Sequence, residues 1–72
     1  MIYHLIKKDV LPKLLTYLTF DNYSHFNQEI KENILPKSLT HLFFGHKFNQ
    51  EIKENVLPKS LIYLKLPKIY PY

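Results

Sequence analysis

An eight-residue block occurs twice in this chain without a single difference. It reads FNQEIKEN at residues 26–33 and again at residues 48–55. Each copy leads into a Leu-Pro-Lys step, and a third such step begins at Leu11, so Pro12, Pro36 and Pro58 are spaced by 24 and 22 residues. A period of about 20–50 residues is typical of repeat proteins, in which one unit cannot bury its apolar face and stacked neighbours supply the core. This period constrains the fold more than any other feature.

The prolines divide the chain into two full units and two partial ones. We predict one short domain with a half-repeat over residues 1–10, repeats over residues 11–34 and 35–56, and a partial repeat over residues 57–72. A chain of 72 residues buries only about 60% of its unfolded surface. We therefore expect marginal stability. Self-association through open ends, membership of a longer array, and a truncated gene product with no independent function remain open.

A short stretch after each proline has the alternation of a β-strand. Its inward residues come in pairs two positions apart, which are Leu18 and Phe20, Leu42 and Phe44, and Leu64 and Leu66. A period of two places the residues between them on the opposite face. Helix-pair repeats need about 33–47 residues, so two useful helices do not fit this period. The pattern predicts a repeat solenoid with about three short parallel strands.

The two FNQEIKEN blocks, called here the outer segments (residues 26–33 and 48–55), are less clear. Phe26, Ile30 and Ile34 are spaced by four, and Asn27 is a good residue to cap a short helix. Pro36 disfavours a helical conformation at the residue before it and ends any helix there. We predict a turn, or a short helical or 3₁₀ segment, on the convex side.

Composition sets bounds on location and chemistry. Ten lysines against six acidic residues give a net charge of +4, and cysteine is absent. The absence of cysteine excludes a disulfide scaffold and a thiolate metal site, and it fits an intracellular protein. Residues 1–10 hold no signal-peptide core, and no stretch approaches the roughly 20 apolar residues of a membrane span. We predict an intracellular protein that does not enter a membrane.

The phrase LPKSLTHLFFGHKFNQ, at residues 35–50, resembles the FNIP repeat, a relative of leucine-rich repeats. The resemblance covers about residues 6–66, although Phe-Asn-Gln-Glu-Ile stands where the family has Phe-Asn-Ile-Pro, at both Phe26 and Phe48. It implies a leucine-rich-repeat-like solenoid that mediates protein–protein interaction. Some members carry an F-box that docks to a ubiquitin ligase. Only ten residues precede Leu11, so that role is not expected.

No constellation for catalysis or for cofactor binding stands out. The chain has four histidines, His4, His25, His41 and His46. No two of them have HExxH spacing, and no carboxylate cluster lies beside them. The serines lack the Gly-x-Ser-x-Gly context of a nucleophile, and Gly45 alone cannot build a phosphate loop. We predict no enzyme, no cofactor and no metal site.

Several recurring residues have structural explanations. Asn27 and Asn49 stand in register, and we expect them to hydrogen-bond backbone groups of a neighbouring coil. Phe26 and Phe48 are predicted to fill the core. The central strand residues Leu18, Leu42 and Leu64 are predicted to do the same.

The candidate site consists of the strand residues that point away from the core. They form two columns, Tyr17, His41 and Tyr63, and Thr19, Phe43 and Lys65. Strands lie about 4.8 Å apart, so the rings are close together, and aromatic residues are favoured anchors of interfaces. We predict a protein partner of unknown identity. The alternative for these rings is simple cross-strand packing.

A weak nucleic-acid-binding basic module is the other alternative. Such a module needs uncompensated positive charge with interleaved aromatics on one face. Lys31 and Lys53 stand among glutamates of the outer segments, and arginine is absent. Charge compensated in this way is typical of a solvated surface. A nucleic-acid partner is therefore disfavoured.

Overall fold

The computed structural model describes residues 10–20 and 25–72. Three strands of three residues each, β1 (Tyr17–Thr19), β2 (His41–Phe43) and β3 (Tyr63–Lys65), form one parallel sheet in the order β1-β2-β3. Tyr17 lies opposite His41, and His41 lies opposite Tyr63. Neighbouring parallel strands are thus separated in sequence by one repeat length, which is the arrangement of a solenoid with one strand per coil. The predicted repeat solenoid is confirmed.

The same turn precedes each strand. The backbone N–H of the leucine three residues after each proline donates to the proline carbonyl, at 3.2 Å for Leu15, 3.2 Å for Leu39 and 3.1 Å for Leu61. Proline lacks an N–H but keeps its carbonyl, so it closes the turn as an acceptor. The repeated Leu-Pro-Lys step therefore directs the chain into the strand in the same way in every coil.

The core lies between the strands and the outer segments. Leu18 and Leu42 at the strand centres are fully buried, and Phe20 and Phe44 just beyond the strands are buried beside them. Leu64, at the same place in β3, is half-buried and packs on the core from one side. Among the described residues no further coil covers β3, so the last coil is less buried than the second.

Stacked phenylalanine rings join the strands to the outer segments. The ring centroids of Phe20 and Phe26 lie 4.2 Å apart, and those of Phe44 and Phe48 lie 3.9 Å apart. Between coils, Phe26 and Phe48 stack with centroids 6.1 Å apart and planes within 4°. Aromatic pairs at such distances stabilise beyond their burial. The identical Phe-Asn blocks therefore place one ring per coil in a continuous column.

The outer segments contain turns, and the described residues include no helix. Asn33 and Asn55 have φ values of 66° and 69°, in the left-handed region. In the first segment the Ile34 N–H donates to the Lys31 carbonyl at 3.4 Å. A turn with positive φ at its third residue is of type II, where asparagine and glycine are favoured. The turn is thus the conformation that forms, and Asn27 caps no helix.

Candidate functional site

Backbone hydrogen bonds between coils hold the strand residues in register. The Phe20 N–H donates to the Phe43 carbonyl at 2.9 Å, and the Phe44 N–H donates to the Lys65 carbonyl at 2.9 Å. At the other end of the strands, the His41 N–H donates to the Thr16 carbonyl at 3.0 Å. Side chains at matching positions must therefore stand beside one another, since a slip of one residue would reverse their faces.

Six side chains form the outward side of the sheet, called here the strand face. Tyr17 and Tyr63 are 56% and 52% exposed. His41 and Phe43 between them are half-buried, while Thr19 and Lys65 are exposed. The structure therefore brings together all six residues of the sequence-predicted columns.

The rings of the strand face stack on one another. Tyr17 and His41 have centroids 4.0 Å apart and planes within 6°, and His41 and Tyr63 have centroids 6.0 Å apart and planes within 13°. Phe43 adds a tilted contact with Tyr63 at 5.2 Å. His41 is therefore covered on both flat sides, and the six residues form a stacked, amphipathic surface.

His41 is oriented by its own neighbours. Its Nδ1 lies 2.8 Å from the Thr40 hydroxyl oxygen, and its Nε2 lies 3.3 Å from the Tyr17 hydroxyl oxygen. The two rings are nearly parallel, whereas an imidazole nitrogen bonds in the plane of its own ring. The Tyr17 contact is therefore chiefly stacking, and Thr40 is the residue that fixes the ring.

Two serines also join neighbouring coils. The Ser38 hydroxyl lies 2.7 Å from the Leu15 carbonyl oxygen, and the Ser60 hydroxyl donates to the Leu39 carbonyl at 2.6 Å. Sequence reasoning considered these serines only as nucleophiles and missed this role. Their recurrence directly after two Leu-Pro-Lys steps was the signal that could have revealed it. Leu14 stands at the same place in the first coil and is 86% exposed.

The two in-register asparagines differ in what they bind. The Asn27 carboxamide oxygen accepts the Asn49 backbone N–H at 2.7 Å and the Gln50 side-chain N–H at 3.1 Å. The residue that follows Asn49 by one repeat is Pro71, which has no N–H to donate. The inter-coil bond therefore exists between the first and second outer segments and has no counterpart beyond Asn49.

Tyr70 is a structural residue that the sequence analysis missed. It follows Phe48 by one 22-residue repeat, and its ring extends the phenylalanine column with a centroid distance of 6.2 Å. Its hydroxyl donates to the Gln50 carbonyl at 2.6 Å. Burial raises the pKa of the Tyr70 hydroxyl, while a backbone hydrogen bond from Ile52 acts in the opposite direction. The spacing from Phe48 was the signal that could have identified it.

Neither a metal centre nor a membrane span is found among the described residues. Within residues 10–20 and 25–72, no group of three or more histidine, aspartate or glutamate side chains could hold a metal ion. In the same part of the chain, no helix is long and apolar enough to cross a membrane.

Comparison with known proteins agrees with this geometry. The FNIP Repeat family matches residues 26–68, more than half of the chain, and the chain belongs to this family. A solved structure described as the crystal structure of CroV588, a novel circular LRR protein structure, is 62% identical, with a TM-score of 0.76 over 83% of this chain. The chain spans only 8% of that protein's length. Comparison with curated proteins gave no match. The leucine-rich-repeat-like fold is thereby confirmed.

Proposed function

We propose that this chain is a non-catalytic repeat module that binds another protein through its strand face. The observation that carries the proposal is the cluster of rings in register, with Tyr17 and Tyr63 more than half exposed. Exposed aromatic rings that lie together mark interaction sites because burial against a partner removes apolar surface from water. Their mutual stacking fixes the rings before binding, so little side-chain freedom is lost.

The surroundings of His41 support a binding role over a catalytic one. A general base or a nucleophile needs a partner that activates or orients it through hydrogen bonds. His41 meets the Thr40 hydroxyl and aromatic rings. No carboxylate side chain belongs to β1, β2 or β3. The strand face thus supplies hydrophobic contact and hydrogen bonding without an acid–base pair.

Three strands offer a small interface. At about 4.8 Å between strands, the columns extend over roughly 10 Å, whereas a standard interface buries about 800 Å² on each partner. We therefore expect this chain alone to bind weakly. A longer run of such coils, as suggested by the much longer circular LRR protein to which it is similar, would present more of the same surface.

A pull-down from an extract of the source cell tests the proposal. The bait is the natural chain or a variant with Tyr17→Ser, Phe43→Ser and Tyr63→Ser, and both must first give the same circular dichroism spectrum. We expect the variant to lose a partner that the natural chain captures, because aromatic anchors provide most of the energy of such an interface.

A matched control removes as many exposed apolar side chains away from the strand face. Leu14→Ser, Ile69→Ser and Tyr72→Ser suit this purpose because these residues are 86%, 88% and 62% exposed. The control should keep the partner. If the strand-face variant keeps every partner, or if the control loses the same one, the strand face is not the binding surface.

A further inference from the structure

We infer that the protein segment bound at the strand face is acidic, with aspartate or glutamate side chains beside an apolar residue. This inference rests on the proposed function and specifies the chemistry of its partner. It follows from the distribution of charge between the two sides of the coils.

Acidic and basic side chains are unevenly distributed along the described part of the chain. In the described residues, every carboxylate side chain belongs to the outer segments, namely Glu29, Glu32, Glu51 and Glu54. The rest of the described chain has none. It carries six lysines, Lys13, Lys37, Lys47, Lys59, Lys65 and Lys68. The outer segments hold two lysines against four glutamates, so within the described residues the outer segments are net acidic and the rest is net basic. Asp9 and Asp21 lie outside the described residues.

Part of the charge on the outer side is compensated locally. The Lys53 ammonium lies 3.7 Å from a Glu29 carboxylate oxygen, with both side chains exposed to solvent. Among the described residues, no strand-side lysine lies within ion-pair distance of a carboxylate. Exposed pairs add little stability, but they cancel the local field. The uncancelled strand-side lysines attract negative charge and repel positive charge.

One lysine lies on the strand face itself, and two more lie before the strands. Lys37 and Lys59 precede β2 and β3 by four residues, so they lie at the same edge of the parallel sheet. They line a groove of about 510 Å³ between the second and third coils. Lys65 lies on the strand face itself, opposite Phe43. A segment on the rings therefore meets the Lys65 side chain directly, and Lys37 and Lys59 add positive charge at the edge of the sheet where the strands begin.

The stacking of the rings favours an acidic peptide over a nucleic acid. Single-stranded nucleic acids bind by stacking bases on open aromatic faces. Here His41 is covered on both flat sides, by Tyr17 at 4.0 Å and by Tyr63 at 6.0 Å, so the centre of the column has no open face for a base. Ring edges carry partial positive charge, which complements carboxylates and carbonyl oxygens of a peptide.

The test uses a synthetic peptide as the probe. A peptide of about twelve residues with alternating glutamate and tyrosine is titrated into the ¹⁵N-labelled natural chain at low salt, where exposed charges are least screened. Amide signals of His41, Tyr63 and Lys65 should shift, whereas those of Glu51 should not. The same peptide with glutamine in place of glutamate should bind at least about fivefold more weakly, since two exposed charge pairs together change affinity by about that factor.

Paired lysine variants locate the charge effect. Lys59→Gln with Lys65→Gln should weaken binding of the acidic peptide about fivefold, because Lys65 lies on the strand face and Lys59 lies four residues before β3. Lys31→Gln with Lys53→Gln removes the same charge from the outer segments and should change the affinity by less than about twofold. If the two double variants weaken peptide binding equally, only the net charge of the chain matters, and the inference is wrong.

Other outcomes also overturn it. These are equal binding of the glutamate and glutamine peptides, tighter binding of a thymidine oligonucleotide than of the acidic peptide, and no signal shift at about 1 mM peptide, the weak limit for a specific contact. The Tyr17→Ser, Phe43→Ser, Tyr63→Ser variant separates the two proposals. If it loses both peptides while the lysine variants bind normally, the strand face remains the binding surface and only the acidic partner is wrong.

Discussion

Replacing Asn27 and Asn49 by alanine, one at a time, should have unequal effects although the two residues occupy the same repeat position. The Asn27 carboxamide oxygen accepts two inter-coil hydrogen bonds, from the Asn49 backbone N–H at 2.7 Å and from the Gln50 side chain at 3.1 Å. Within the described residues, the Asn49 carboxamide forms no equivalent bond, since Pro71 stands one repeat later without an N–H.

The magnitude follows from these contacts. A typical hydrogen bond contributes about 0.5–1.5 kcal/mol net, and water replaces part of this when the groups are exposed. Asn27 is exposed, so we expect Asn27→Ala to lower the free energy of unfolding by about 1 kcal/mol. Asn49→Ala should stay within about 0.5 kcal/mol, as for other surface changes. A difference of about 1 kcal/mol lowers the melting temperature of a domain this small by about 4–8 °C.

Urea unfolding followed by circular dichroism measures the difference directly. Both variants should keep the slope of the natural chain and differ in midpoint, because a loss of stability without a change in exposed area moves the midpoint alone. Equal destabilisation by the two changes would refute the reasoning, since it would mean that the recurring asparagine acts through its own coil. A larger effect of Asn49→Ala would refute it as well.

Three more predictions concern the core, the pH dependence and the ends. Leu42→Ala should lower the free energy of unfolding by about 2–5 kcal/mol because Leu42 is fully buried, whereas Lys37→Ala, at an exposed position, should change it by less than about 0.5 kcal/mol. Equal changes in urea unfolding would contradict the assignment of inward and outward positions in the repeat. Burial raises the pKa of Tyr70 above its ordinary value of 10.0, so the folded chain holds the proton more tightly. Its contribution to stability is present below about pH 10 and is lost as the pH rises through the higher pKa of the folded state; Tyr70→Phe should remove this loss above about pH 10, and an unchanged pH profile would contradict it. The half-buried third coil predicts that the chain self-associates or unfolds easily, and a monomer in analytical ultracentrifugation that melts above about 70 °C would contradict this.

The strands and their register could be predicted because both depend on spacing alone. A period of two placed Leu18 and Leu42 inward, and a period near 22 placed Tyr17, His41 and Tyr63 side by side. Neither the inward position of a residue nor its strand register depends on the particular side-chain contacts that form. Burial of one face then fixes the register of the whole sheet.

The outer segments could not be predicted to the same depth. A spacing of four between Phe26 and Ile30 says that both side chains point inward, and a helix and a series of turns both satisfy it. Left-handed backbone at Asn33 decided in favour of turns, and asparagine is among the residues that tolerate it. The sequence pattern alone did not show that the backbone of Asn33 is left-handed.

The polar contacts between coils were predicted only in part, for a related reason. Repetition shows which residues recur, but it does not show whether a side chain reaches forward or backward along the solenoid. Ser38 reaches back to Leu15, while the side chain of Asn27 accepts from the coil that follows. The direction in which such a side chain reaches depends on distances of a few ångströms between coils. The repeat period does not specify these distances.

Oxidative footprinting of the tyrosines in the complex with the captured partner is the most direct test of the strand face as the binding surface. Tyr17, Tyr63 and Tyr72 are 56%, 52% and 62% exposed in the free chain, so all three should react with hydroxyl radicals to a similar extent. When the partner is bound, we expect Tyr17 and Tyr63 to become protected and Tyr72 to react as before. If Tyr17 and Tyr63 keep their full reactivity in the complex, the partner binds elsewhere and the proposed function of the strand face is wrong.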